Sequence, residues 1–447
     1  MGFDLHYFAD AEPGGDVVHR ARTPALELFA LEPPAPELPR SSWSLRAVTR
    51  FSPAESGTHV FTLIQAGRAR LTVSDRVVID GFADPPPAGD AFYGMGSVEV
   101  EAPVELVGGA PVDVVIEFSA LARRGQGALK VGCRPPEPPD LLERAVAAAA
   151  EADAAVLVVG TTGEWESEGH DRTSMDLPGA QDELVRRVLD ANPATVVVVN
   201  AGSPVTMDWA PDARALLQTW FGGQEMAGGL ADVLLGDAEP AGRLPMTHPV
   251  RLEHNPSFGN FPGESGRVRY GEGVLVGYRW YEARHLATRY PFGHGGSYTR
   301  FAVGEPALSA PSTSAAALAA GERLLVTVPL TNTGGRPGAE VVQCYVAPRA
   351  PRVMRPPKEL AGFAKVRLDP EETATARIEL DGRAFAYWDA TPPDGDAIAA
   401  RAVALPMRRP SDPASAPGWR TDPGHYELHV GRSSAAIDHV LPVEITG

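Results

Sequence analysis

Residues 154–172, AAVLVVGTTGEWESEGHDR, begin as six apolar residues and end as a loop crowded with acids. The run Ala154 to Val159 reads as a strand buried in a sheet; it is too short and too rich in valine for a helix of its own. Glu164, Glu166 and Glu168 follow, with Trp165, His170 and the pair Asp171-Arg172 among them. The carboxyl edge of a parallel α/β sheet is where ligands bind. Carboxylates beside an aromatic ring and glycines suit sugar chemistry.

The residues on either side build the sheet that the loop needs. Asp140 to Glu143 opens an Ala-rich helix that runs through Ala152. After the loop, Pro178 takes a first-turn position and Gln181 to Ala191 continues as an amphipathic helix. Thr195 to Val199 is a second buried strand, Ala215 to Trp220 a third, and Gly222 to Leu235 a Gly-tolerant helix. Strand–helix alternation means a parallel sheet with helical crossovers. Three strands fall short of the usual size of about four to six, so this unit reads as incomplete on its own.

Both flanks are β-rich, and the fold class is multidomain α/β plus all-β. Residues 1–134 hold short strand-like runs such as Val60-Phe61-Thr62-Leu63-Ile64 and Val112 to Phe118, punctuated by Gly, Asp and Pro, and form a β-sandwich or barrel module. Pro135-Pro136-Glu137-Pro138-Pro139 is a stiff linker. The partial parallel α/β sandwich occupies 140–300; its last fifty residues are loop-rich and aromatic, too long for an inert connection. From 301 to 447, alternating runs such as Arg323 to Leu330 and Glu340 to Val346 make an immunoglobulin-like β-sandwich. Pro392 to Pro417, rich in Ala, Pro and Asp, reads as a surface insertion.

Composition narrows the function. The 447 residues carry a formal charge of −17, which disfavours nucleic acid and anionic membranes as partners. Two cysteines far apart imply no disulfide framework. The start, Met1 to His6, lacks the basic and apolar regions of a signal peptide, so a cytoplasmic location is expected. His248, His254 and His294 lack metal-ligand spacing and no phosphate loop is complete, so neither a metal nor a cofactor is expected.

Several of these segments, in this order, resemble the C-terminal half of glycoside hydrolase family 3, the β-glucosidase family. Trp165 to Arg172 looks like the family's acid/base loop, and Gly242-Arg243-Leu244-Pro245-Met246-Thr247-His248-Pro249 like its Gly-Lys/Arg-Leu-Pro-x-Thr-x-Pro segment. Tyr270 to Tyr281 and Tyr290 to Thr299 look like the two aromatic signatures that follow, with Gly296 where the family usually has Leu. Asn332-Thr333-Gly334 and Gly338 to Gln343 resemble its fibronectin type III-like domain. Gly67 to Leu71 with Val78 to Gly81 resembles the protective-antigen-type module that some members insert.

The resemblance implies a hydrolase of β-glucosides or oligosaccharides whose members begin with a β/α barrel carrying an Asp nucleophile. This sequence contains no such barrel, and no nucleophile can be named in it; Asp208, beside Trp209, stands in a different context. Retaining glycosidases need two carboxyl groups about 5–5.5 Å apart, one attacking and one serving as acid and then base. Glu168 matches the position of the general acid/base, with Glu166 as its rival and Glu164 third. Read as residues alone, each could equally be a solvated loop glutamate. Trp165 could stack on a sugar ring or form a lid over the sheet edge; Asp171 and Arg172 could bind sugar hydroxyls or brace the loop as an ion pair. The resemblance implies a barrel supplied either by a missing N-terminal part of a longer chain or by a separately encoded subunit; another copy of the chain is also an expected partner at the open sheet. The alternative is a non-catalytic carbohydrate-binding or scaffolding protein.

Overall fold

A computed structural model describes residues 2–120, 126–163, 165–169, 171–389 and 417–447. Two compact units divide it: Met1–Thr173 with Pro178–Val198 and Asp212–Leu216, and Ser174–Leu177 with Val199–Pro211 and Leu217–Gly447.

In the first unit, two antiparallel sheets face each other. The larger runs Val17–Thr23, Phe3–Phe8, Ser44–Phe51, Val112–Ser119, Arg68–Val73 and Arg76–Asp80 in spatial order. The smaller runs Glu27–Ala30, Gly127–Arg134, Gly57–Ala66 and Val100–Leu106. Period-two alternation decides what goes inside. In Val112–Ser119 the buried residues are Val114, Ile116 and Phe118, and they meet Trp43, Leu45, Leu63, Leu71 and Leu129 in one core. Phe118 is wholly buried, and two glycines make room for it: a Cβ on Gly67 or Gly127 would stand 2.8 or 2.7 Å from its ring. Burial of such a ring contributes about 1.5–3 kcal/mol.

The α/β portion has the strand order Ala155–Gly160, Thr195–Asn200, Ala215–Gln218. Helices Leu141–Glu151 and Gln181–Ala191 pack on one another; Asn192 Nδ2 donates to the Ala149 and Ala152 carbonyls at 2.8 and 2.9 Å, and Arg187 pairs with Glu143 at 3.2 Å. Strand Thr195–Asn200 is buried as its valines suggest. Strand Ala155–Gly160 is not: Val156 and Val158, two apart and so on one face, are 54% and 53% exposed. Among the described residues nothing covers that face. The third strand stops at Gln218, two residues before Trp220 turns to a left-handed φ of 56°, and the following helix is shorter than the sequence suggests, Met226–Leu235.

The second unit ends in a β-sandwich. Leu324–Asn332 pairs with Thr373–Leu380 in one sheet; Ile437–Thr446, Gly424–Gly431, Gly338–Pro348 and Glu359–Leu368 lie in order in the other. Val326, Val328, Leu330, Val342, Cys344, Val346, Leu428 and Val430 fill the space between them. Segment 239–299 is fastened to this sandwich by polar ties. Gln343 Nε2 donates to the Gly293 carbonyl at 3.0 Å, Glu239 accepts from the Ala339 N–H at 2.8 Å, and Arg243 pairs with Glu340. Most of the segment expected to form a surface insertion, Pro392 to Pro417, lies outside the described residues.

Candidate active site

The acidic loop owes its starting direction to a side chain that the sequence pattern does not single out. Gln181, first residue of its helix, reaches back to the end of strand Ala155–Gly160. Its Oε1 accepts from the Gly160 N–H at 2.7 Å, and its Nε2 donates to the Gly160 and Pro178 carbonyls at 3.0 and 3.2 Å. A carboxamide can donate and accept at once, which suits it to close a strand end. Pro178 therefore lies ahead of the helix, not in its first turn; Ala180 occupies the cap position, and the proline contributes its carbonyl.

Beyond Gly160 the chain tightens. The N–H groups of Trp165 and Glu166 both donate to the Thr162 carbonyl, at 2.9 and 2.8 Å. Thr161 is buried, and its hydroxyl donates to Glu166 Oε1 at 2.5 Å. Glu166 is thus drawn onto the base of the loop and half-buried. Glu168, two residues on, is exposed, and no hydrogen bond to its carboxylate occurs among the described residues. The two rivals part here: one carboxylate braces the loop, the other is presented outward. Trp165 is half-buried with its indole N–H enclosed and without an acceptor; Asp171 is exposed and Arg172 half-buried. Glu164 and His170 lie outside the described residues.

A second wall comes from the β-module. A Cβ on Gly169 would stand 3.5 Å from Tyr93 Cα and 3.8 Å from its ring. Phe92 and Tyr93 lie between strands Arg76–Asp80 and Val100–Leu106, at left-handed φ values of 53° and 60° that aromatic residues rarely adopt. The loop's base is held shut. Gly89 N–H donates to Gly96 O at 2.9 Å, and Ser97 N–H to Gln65 O at 2.8 Å. Phe29 stacks on Phe92 at 5.8 Å and leans against Tyr93 at 5.8 Å, while Tyr93 stays 64% exposed. An exposed aromatic ring offers a π face on which the C–H face of a ligand can stack. The signal for Tyr93 was its place in a glycine-bounded, strandless stretch, Gly89-Asp90-Ala91-Phe92-Tyr93-Gly94-Met95-Gly96; only folding brings it to the acidic loop.

Other tyrosine, aspartate and histidine side chains have structural settings. Tyr278 and Tyr281 are buried and form part of the second unit's interior. Asp80 caps its strand end, accepting from Phe82 and Ala83 N–H at 3.1 and 3.2 Å. His248 is buried against Trp220 and Tyr290. Among the described residues no cluster of His, Cys, Asp and Glu could hold a metal, and no helix is long and apolar enough to cross a membrane.

Known proteins share this architecture. The glycosyl hydrolase family 3 C-terminal domain matches residues 48–298, and a fibronectin type III-like domain matches 340–394. A probable beta-glucosidase I of Aspergillus terreus is 40% identical over 402 residues, 87% of this chain and 48% of that protein. A beta-glucosidase of Rhizobium radiobacter is 38% identical over 430 residues, 94% of this chain and 49% of its own. The crystal structure of a beta-glucosidase from Kluyveromyces marxianus in complex with glucose superposes on the whole of this chain and 50% of its own, with a TM-score of 0.86 and 31% identity. The chain spans about half the length of these relatives. With a family match over more than half its residues, the chain belongs to glycosyl hydrolase family 3, of which it is a C-terminal portion.

Proposed function

We propose that this chain supplies the general acid/base for cleaving β-glucosides, with Glu168 as the proton donor, and that the attacking carboxylate comes from a separate barrel portion. One observation carries the choice of residue: Thr161 engages Glu166, while Glu168 stands exposed on the same loop, next in sequence to Gly169, which lies against Tyr93. A proton donor works best against a low-dielectric wall. Solvent reaches Glu168 in this chain, so a second protein surface closing over the loop would complete that wall. The relatives named beta-glucosidase support the substrate class, and their double length supports the need for a second portion. Trp165 and Tyr93 would flank the sugar, and Asp171 and Arg172 would reach its hydroxyls.

The test is complementation. The chain is co-expressed with a family 3 barrel portion and assayed on cellobiose and on a dinitrophenyl β-glucoside. Glu168→Gln should lower turnover of cellobiose by roughly 10²–10⁴-fold. The dinitrophenyl substrate, whose leaving group departs without a proton, should lose far less in the bond-breaking step. Glu166→Gln should affect both substrates alike and modestly. Equal loss of kcat/KM, which reports the bond-breaking step alone, on both substrates for Glu168→Gln, or no gain over the barrel alone, would reject the assignment and favour a binding or scaffolding role.

A further inference from the structure

The acidic loop leaves its strand at Gly160 and comes back to Pro178 ahead of the next helix, and one side chain grips both points. Gln181 Oε1 accepts from the Gly160 N–H at 2.7 Å, and its Nε2 donates to the Gly160 carbonyl at 3.0 Å. Residues facing each other in an antiparallel ladder exchange N–H···O bonds in the same reciprocal way. The carboxamide therefore stands in for a neighbouring strand at the last residue of Ala155–Gly160. The other N–H of Nε2 reaches the Pro178 carbonyl at 3.2 Å. Entry and exit of the loop 161–177 are joined through a single amide group.

The chemistry of the clasp is specific to its residue. It must accept from one N–H and donate to two carbonyls, which a carboxamide does at once. A carboxylate would turn a second acceptor toward those carbonyls, and a methionine of similar length would offer neither group. Bringing the ends of a loop together costs conformational entropy, and the clasp holds them where most of the chain between is not buried. Gly160 is followed directly by Thr161 and Thr162, whose hydroxyl and carbonyl fix Glu166. A shift of Gly160 thus moves the whole first turn, with Glu168 two residues beyond it. We infer that Gln181 is the positioning residue of the acid/base loop, acting through Gly160 and Pro178 on where Glu168 stands. This rests on the reading of Glu168 as the proton donor.

Hydrogen exchange of the full chain tests the clasp, and activity alongside a family 3 barrel portion tests its consequence. In Gln181→Met, peptides spanning Gly160 should exchange about tenfold faster, while those covering strand Val112–Ser119 stay protected as in the wild type. With the barrel portion, kcat/KM for cellobiose should fall roughly 10²-fold. For the dinitrophenyl β-glucoside, which needs no proton, the loss should be far smaller. A side chain that only fills space would be replaced by methionine without effect, and general destabilisation would depress both substrates alike. Should Gln181→Met fail to fold, Gln181→Asn, which keeps the carboxamide but falls one methylene short, is read in its place. Unchanged exchange at Gly160, or equal loss on both substrates while Glu168→Gln discriminates between them, overturns this inference alone. A Glu168→Gln enzyme that does not discriminate overturns it together with the acid/base reading.

Discussion

Single side chains carry much of what holds the second unit together. Arg243 and Glu340 are 9% and 8% exposed and face each other across almost a hundred residues of sequence. A buried ion pair adds little net stability over a well-packed apolar pair, but removing one partner strands the other. Arg243→Met should therefore cost about 3–5 kcal/mol in chemical denaturation, and adding Glu340→Leu should recover most of it. His248 makes a different demand. Burial, with His294 adding to it, pushes its pKa down to about 4, and neither ring nitrogen has a partner. Below the ordinary value of about 6.5, an unfolded chain takes up a proton that the native state refuses. Stability from this group is thus whole above pH 6.5 and falls as the pH drops toward 4, by roughly 3 kcal/mol in all. Denaturation midpoints across that window should decline more steeply for the wild type than for His248→Phe; parallel slopes would show that the histidine ionises freely.

At the scale of elements, strand Ala155–Gly160 shows where local pattern and tertiary setting disagree. Its run of apolar residues fits burial on both faces, and one face lies open at Val156 and Val158. Helix Met226–Leu235 repeats the theme: it is strongly apolar in sequence, none of its residues is buried, and Leu235 is 79% exposed. Sequences retain apolar residues where something covers them. Val158→Lys should leave the melting temperature of the isolated chain nearly unchanged, since exposed substitutions usually move stability by less than about 0.5 kcal/mol. The same substitution should abolish complementation by a barrel portion. If it unfolds the chain instead, the face is covered from within.

For the whole molecule, the open apolar face and the charge of −17 oppose one another. Copies of the chain gain by covering Val156 and Val158 against each other, but their charges repel over about 8–10 Å at moderate salt. Sedimentation velocity should therefore show self-association that grows with added salt and disappears in Val158→Lys; a monodisperse monomer at every ionic strength would refute it. Adding a barrel portion should displace the self-contact, since both would use the same face.

The boundary between what was legible in the sequence and what was not follows the range of the interactions. Strand–helix alternation, the Pro-rich linker and the period-two runs are local, and they were enough to announce α/β structure between β-rich flanks; the spaced motifs Trp165–Arg172 and Gly242–Pro249 were enough to name the family. Element ends depart from the sequence pattern at Pro178, which lies ahead of its helix, and at Gln218, where the third strand stops short of Trp220. Between Glu166 and Glu168 the sequence could offer a preference but no contact; the hydroxyl of Thr161 folding back on Glu166 appears only in the folded chain. Tyr93 reaches Gly169, and Arg243 reaches Glu340, across long stretches of chain. Propensity and periodicity are written into neighbouring residues, whereas side-chain partners and exposure exist only once distant segments have been brought together.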